Sequence, residues 1–375
     1  MHDRYYTTNL EEMIKIGLII DNIANKAGTE RAVSNLVNGL MKFYSDYSIT
    51  IISLFSESDE QPFFELNENI NVVHLNKVNN FNFLNKIFWY KQLVSDLKKI
   101  NSQYNFNVIL GTTYVHNILL PFVVKNTKTR TIGCEHEVYG YPSGIIRKIR
   151  KKIYPKLDRI VVLNHTEQSK FGFLTNTTII PNSLPFETEK KSELINKKII
   201  AVGRLTDQKG FDMLIDVFDM IRSEMPDWEL NIFGEGEDFS ALESKIKSKK
   251  AEHCINLRGS VKNISKKYFE SSIFALSSRW ESFGLVVIEA MSHGLPVVAF
   301  DCDGPKNIIT DGENGFLIPK FDLRLFSEKL LCLMQDSELR SKLGSQASES
   351  SVEYQEKNII PIWNKLIQSI VNKDR

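Results

Sequence analysis

Ser277-Ser278-Arg279-Trp280-Glu281-Ser282-Phe283-Gly284-Leu285-Val286-Val287-Ile288-Glu289-Ala290-Met291-Ser292-His293-Gly294-Leu295-Pro296-Val297-Val298-Ala299-Phe300-Asp301, continuing through Gly304-Pro305 to Asp311, is the stretch from which the rest of the chain can be read. The apolar run Ile273 to Leu276 before it has the pattern of a buried strand. Ser277, Ser278 and Glu281 then fall in a loop. Gly284 permits a close backbone approach and opens a helix to about His293. Gly294 stands at the C-cap, with Pro296 two residues on, and Val297 to Phe300 is the next strand. The unit is β-α-β. Glu281 and Glu289 are eight residues apart. On one helix they would be rotated by about 80° and would not share a face. With Glu281 in the loop, both can look into the crevice at the strand's carboxyl end, where open α/β sheets bind ligands. Backbone N–H groups from Phe283 to Leu285 would open a helix N-terminus, which favours an anion. A surface helix with two ordinary acids is the competing reading of the spacing.

In sequence these residues resemble the signature of family-4 glycosyltransferases with the GT-B fold, a Glu-x7-Glu motif after a strand. The resemblance implies that Glu281 contacts hydroxyls of the donor sugar and Glu289 holds the nucleotide ribose. It also implies that the backbone of Phe283, Gly284 and Leu285 meets the sugar and diphosphate. It predicts an α/β protein of two Rossmann-like, doubly wound domains facing a cleft, with a C-terminal helix crossing back to the first domain. The expected boundaries are 1–188, 189–355 and 356–375, with the polar stretch Glu187 to Lys197 as linker.

Upstream in the second domain, the strand Lys198 to Val202 leads to Gly203-Arg204-Leu205-Thr206-Asp207-Gln208-Lys209-Gly210. An Arg and a Lys five apart in a Gly-bounded loop before a helix suit a diphosphate. Arg offers a planar fork and Lys a point charge. The match to the family's Gly-Arg-Leu…Lys-Gly pattern implies that Arg204 and Lys209 also stabilise charge on the departing diphosphate. The resemblance makes Val261 a base-contact candidate through its backbone. Asp301-Cys302-Asp303 has the letters of an Asp-x-Asp metal clamp, but the family's Gly-Pro turn explains Gly304-Pro305 and its surroundings better. His293, at a helix end before Gly294, reads as structural.

The first domain opens with an apolar run, Met13 to Asp21, then Asn25-Lys26-Ala27-Gly28-Thr29-Glu30-Arg31 and an amphipathic helix ending near Tyr44. Strand, turn and helix alternate here as in a doubly wound sheet. No Gly-x-Gly-x-x-Gly stands in the turn, which argues against a dinucleotide oxidoreductase. The resembled polysaccharide transferases carry Gly-Gly-x-Glu-Arg here, facing the diphosphate and acceptor, so Gly28 is a binding candidate. Ala27 replaces the first Gly and could not take a positive φ cheaply. Glu30 and Arg31 are either functional or helix-start charges.

Cys134-Glu135-His136-Glu137 closes the strand that begins at Thr131. A surface turn is the plain reading. By resemblance His136 lies beside the donor sugar and diphosphate, a polar catalytic-site residue rather than a general base. Helices are expected from Asn85 to Ile100, with Ile87, Phe88, Leu93, Val94 and Leu97 inward, and from Ile145 to Tyr154. The latter places Ile145, Ile146, Ile149 and Ile153 at helical spacing among Arg147, Lys148, Arg150, Lys151 and Lys152. Such a helix either lies on an anionic membrane or is solvated with its isoleucines in the core. Asn164-His165-Thr166 and Pro181-Asn182 read as turns, His165 as a capping or turn residue.

The 375 residues suggest two domains, and 42% hydrophobic with 25% charged residues is ordinary for a globular chain. A net charge of +1 carries no nucleic-acid footprint. Cys134, Cys254, Cys302 and Cys332 lack metal or redox spacing. Met1 to Glu12 is polar and acidic, unlike a signal peptide, and no apolar run is long enough to span a bilayer. The expectation is a cytoplasmic protein, peripheral on the inner face of the membrane. The resemblance implies a retaining transferase without metal or other cofactor. It would move a hexose or N-acetylhexosamine from a UDP-sugar to a lipid-linked glycan of a bacterial surface polysaccharide. A GT-B epimerase and a non-catalytic nucleotide-sugar-binding subunit are the alternatives.

Overall fold

The computed structural model describes residues 13–78, 83–184, 188 and 190–372. The N-terminal reading of Met1 to Glu12 and part of the linker therefore lie outside the described residues. The first lobe contains β1 (Ile14–Ile20), α1 (Gly28–Phe43), β2 (Tyr47–Ser53), β3 (Asn71–His74), α2 (Phe83–Tyr104) and β4 (Val108–Gly111). It continues with α3 (Tyr114–Val123), β5 (Arg130–Glu135), α4 (Gly144–Ile153), β6 (Arg159–Val162), α5 (His165–Lys170) and β7 (Thr177–Ile179). The second lobe contains β8 (Lys198–Val202), α6 (Phe211–Ile221), β9 (Glu229–Phe233), α7 (Phe239–Ser248), β10 (Ile255–Leu257) and α8 (Ile264–Phe269). Then come β11 (Ile273–Leu276), α9 (Leu285–Ser292), β12 (Val297–Phe300), β13 (Gly315–Ile318), α10 (Leu323–Gln335), α11 (Ser337–Ser351) and α12 (Glu356–Val371).

The strands form two parallel sheets, ordered β3-β2-β1-β4-β5-β6-β7 and β10-β9-β8-β11-β12-β13. Helices cover both faces of such sheets, which is why the central strands are continuous apolar runs; in β1 only Lys15 is exposed. Strand order reverses between β1 and β4, and again between β8 and β11. The loops after these four strands open at the switch points, where a ligand crevice forms.

The terminal helix α12 packs on the first lobe. Ile360, Trp363 and Ile367 join Val33, Val37 and Leu40 of α1 in one core. Gly39 makes room for it: a Cβ there would stand 2.6 Å from the Ile360 side chain. Tyr47 donates to Asn364 at 2.6 Å across the same contact.

Two helices follow their apolar patterns only in part. On α2, Leu93 and Leu97 are buried, but Ile87 and Phe88 are 65% and 72% exposed. On α4, Ile145 is 72% and Ile149 37% exposed, whereas Arg150 is buried at 1%. The cause lies in β5, whose last residue, Glu135, is buried and needs a cation. Arg150 supplies it at 2.6 Å, so the helix turns a basic residue inward and leaves Ile145 and Ile149 outside, with Ile146 and Ile153 half-buried. Among the described residues no helix is long and apolar enough to cross a membrane.

Candidate functional site

The loop after β11 is fastened to the loop after β8. Arg279 N–H donates to Gln208 O at 2.8 Å, and Ser277 Oγ donates to Lys209 O at 3.0 Å. The Arg279 guanidinium grips both oxygens of Asp212, at 2.9 and 2.8 Å, a bidentate clasp on the first turn of α6. Gly210 sits between the loops at φ +61°, and a Cβ there would lie 2.2 Å from Ser277 O. Only glycine meets both demands. Arg279 and Asp212 carry no motif, and their partnership spans 67 residues, so local reading missed them.

This frame sets Lys209 Nζ 2.5 Å from Glu281 Oε2, with the side chains 15% and 11% exposed. The lysine stem lies over Gly203, whose missing Cβ leaves the space. Ser278 Oγ approaches the same carboxylate oxygen at 3.5 Å, and Glu281 O accepts from Gly304 N–H at 2.8 Å. Gly304 packs on the Phe283 backbone, so the Gly304-Pro305 turn buttresses the loop. Gly284 takes φ +97° as N-cap of α9. Phe283 and Leu285 send their side chains into the core, leaving the backbone of this turn as their contribution to the crevice. Arg204 is exposed and makes no ion pair among the described residues; its charge acts across the cleft on Glu30. Val261 is half-buried in the loop after β10, against the core that holds α9.

Glu289 is wholly buried on α9. Tyr268 of α8 donates to its Oε2 at 3.1 Å. Arg31 Nη2 of α1, from the other lobe, stands 2.9 Å from Oε1, yet Oε1 has no hydrogen bond among the described residues. The contact is one of charge, without an aligned N–H. Burial pushes this carboxyl up, and Arg31 and Tyr268 oppose the push. His293 proves structural, as its sequence suggests. Its Nδ1 lies 2.7 Å from Glu289 O and its Nε2 2.6 Å from Ser265 Oγ. A carbonyl can only accept, so Nδ1 carries the proton.

The first lobe closes on these groups. Asn164, the N-cap of α5, accepts from Glu167 N–H and donates to Ser282 O at 2.9 Å. Ser282 Oγ donates to His136 O at 2.6 Å, which brings the end of β5 against the Glu281 loop. His165 follows the cap as the first residue of α5. Burial pushes the His136 imidazole down to about 4, so it is neutral near pH 7. Burial, ahead of the nearby Glu135 and Asp21, pushes Glu137 up to about 7. Lys170 bridges to Asp303 at 2.6 Å, so the second aspartate of Asp301-Cys302-Asp303 serves the lobe contact. Gly28 is the exposed first residue of α1, with open space where a Cβ would be. Ala27 has φ −118°, an extended conformation, so replacing the family's glycine introduces no strain.

Two doubly wound parallel-sheet lobes that meet at their switch points have the GT-B class of fold. The profile described as "Glycosyl transferases group 1" matches residues 185–350. An uncharacterized glycosyltransferase of Haemophilus influenzae is 31% identical over 363 residues, covering 95% of this chain and all of the relative. The amylovoran biosynthesis glycosyltransferase AmsD of Erwinia amylovora is 29% identical over 367 residues, again 95% of this chain and all of the relative. Anabaena HepE, solved with UDP-glucose, superposes with a TM-score of 0.78 at 17% identity, over 95% of this chain and 100% of that one. The chain belongs to the glycosyltransferases, and its second lobe carries the group 1 profile.

Proposed function

We propose that this glycosyltransferase moves a hexose or N-acetylhexosamine from a UDP-sugar to a lipid-linked glycan of a surface polysaccharide, with retention of anomeric configuration. The observation that carries the reading is that Lys209 pairs with Glu281 in the loop leading into α9, while Glu289 on α9 meets Arg31 of the other lobe. In this reading Arg204 and Lys209 hold the diphosphate and offset charge on the leaving group without a metal or other cofactor. Glu281 takes sugar hydroxyls, and Glu289 Oε1, which lacks a hydrogen bond, takes a ribose hydroxyl. The Phe283–Leu285 backbone at the α9 N-terminus faces the anion, Gly28 lies opposite, and Val261 borders the base. Neutral His136 orients the sugar. HepE's UDP-glucose supports a UDP donor, and AmsD's amylovoran supports a polysaccharide product.

Incubation with UDP-glucose, UDP-galactose, UDP-N-acetylglucosamine and GDP-mannose tests the donor. At least one UDP-sugar is expected to raise the melting temperature and to release UDP slowly without acceptor. An epimer formed without acceptor would replace the transferase reading. Transfer unaltered by Glu281→Ala in a reconstituted membrane assay would favour the non-catalytic alternative.

The lipid-linked acceptor is supported by α4. Tyr141, Ile145 and Ile149 are exposed beside exposed Lys148, Lys151 and Lys152, an apolar strip with a basic margin. Such a surface lies on anionic lipid, each basic residue contributing roughly 1 kcal/mol. Arg147 instead donates to Gly140 O and Pro142 O and braces the preceding loop. Replacing the three lysines with glutamine is expected to weaken binding to phosphatidylglycerol-containing vesicles on the order of 100-fold. Unchanged co-sedimentation would remove the membrane face.

A further inference from the structure

We propose that Arg31 is a positioning residue that completes the donor site from the opposite lobe: it is the counter-ion of Glu289, so nucleotide recognition is finished only when the lobes close. The proposal rests on the reading of Glu289 as the ribose acceptor.

Glu289 is 0% exposed. An ionised carboxylate in that position needs a cation or gives up its charge. Its own lobe supplies the Tyr268 hydroxyl, whereas the cation in contact with it among the described residues is Arg31, 258 residues away in sequence. The arginine is held in place for this task. Its backbone N–H donates to Ala27 O at 3.1 Å, and its guanidinium lies over the Phe64 ring at 5.6 Å. Its side chain is 20% exposed, mostly out of water. A basic residue in the first turn of a helix opposes the helix dipole, so its place in α1 is not explained by helix stability. Because the guanidinium touches Oε1 without an aligned hydrogen bond, that oxygen keeps its capacity to accept one. A ribose hydroxyl can enter while the charge contact persists. The Ala-Gly-x-Glu-Arg turn thereby gains a second role: besides facing the cleft, it delivers a charge into the other lobe.

The test is a double-mutant cycle in the full chain with Arg31→Ala, Arg31→Lys, Glu289→Gln and the Arg31→Ala/Glu289→Gln pair. UDP is the probe in calorimetric titrations, and melting temperature without nucleotide is the second readout. Arg31→Ala is expected to weaken UDP roughly 10-fold or more, the scale of a hydrogen bond to a charged group. Arg31→Lys recovers most of the affinity. In the Glu289→Gln background, Arg31→Ala adds little. Without nucleotide, Arg31→Ala lowers the melting temperature, and adding Glu289→Gln restores it by neutralising the stranded carboxylate. Additive losses in both readouts, or Arg31→Ala binding UDP like the wild type, would overturn the proposal. If wild type binds no UDP, the donor reading fails by itself, and the nucleotide-free cycle alone decides whether Arg31 and Glu289 act as a pair.

Discussion

Lys209→Met is expected to lower kcat/KM for sugar transfer by about 100- to 1,000-fold, the cost of removing one preorganised charge-stabilising group. Methionine keeps most of the stem that passes over Gly203 but removes the ammonium 2.5 Å from Glu281. Two losses coincide. In the proposed reaction the departing diphosphate loses a cation whose position is set before the reaction begins. Glu281, 11% exposed, loses the partner that holds its carboxylate toward the crevice. Arginine is not a conservative replacement, since its planar fork demands a different approach. Steady-state transfer and UDP release measure the effect, with melting temperature as the control for folding. A variant that folds and turns over at the wild-type rate would take the lysine–glutamate pair out of the chemistry.

Arg150→Ala is expected to destabilise the first lobe by about 3–5 kcal/mol, the usual cost of breaking one side of a buried ion pair. For a lobe of this size that corresponds to a fall of roughly 10 °C in its melting temperature. Arg150 and Glu135 are 1% and 2% exposed. Glu135 also accepts from Asn117 Nδ2 at 2.9 Å and from the Tyr154 hydroxyl. The guanidinium faces the rings of Tyr139, Tyr154 and Phe171 at 4.8, 5.2 and 5.0 Å. Truncation strands a carboxylate whose burial already pushes it toward the neutral form, an effect Arg150 opposes. The companion Glu135→Gln/Arg150→Met removes both charges and is expected to recover most of the loss. Scanning calorimetry of the two variants separates the cost of a stranded charge from the worth of the pair. Because Glu135 precedes His136, Arg150→Ala should also slow transfer, although the arginine itself lies outside the cleft. A melting temperature within 1 °C of wild type would show that the pair contributes nothing net.

Both α4 and the candidate site show where reading along the chain stops being informative. The isoleucine spacing in 145–153 is a real helical period, and a helix forms there. Periodicity nevertheless ranks positions only by their own polarity. It could not weigh the need of Glu135, fifteen residues earlier, which draws Arg150 inward against the pattern. The same holds for Ile87 and Phe88, which follow the period of α2 yet stand outside the core. At the candidate site, Lys209, Glu281 and Glu289 are legible because they carry the spacing of a known motif around Gly210 and Gly284. Arg31 stands in the sequence as either a functional residue of the cleft-facing turn or a helix-start charge, with no partner indicated. Its partner became known when the lobes met.

The sequence by itself determined the alternation of strand and helix, the two lobes and the turn that gathers the paired acids, because short-range forces write these: apolar runs demand burial, and glycines permit turns that other residues resist. The tertiary structure alone decided which charge answers which. A buried ion's partner is chosen by distance in space and by the shortage of water around it, and neither quantity is written in the order of residues along the chain.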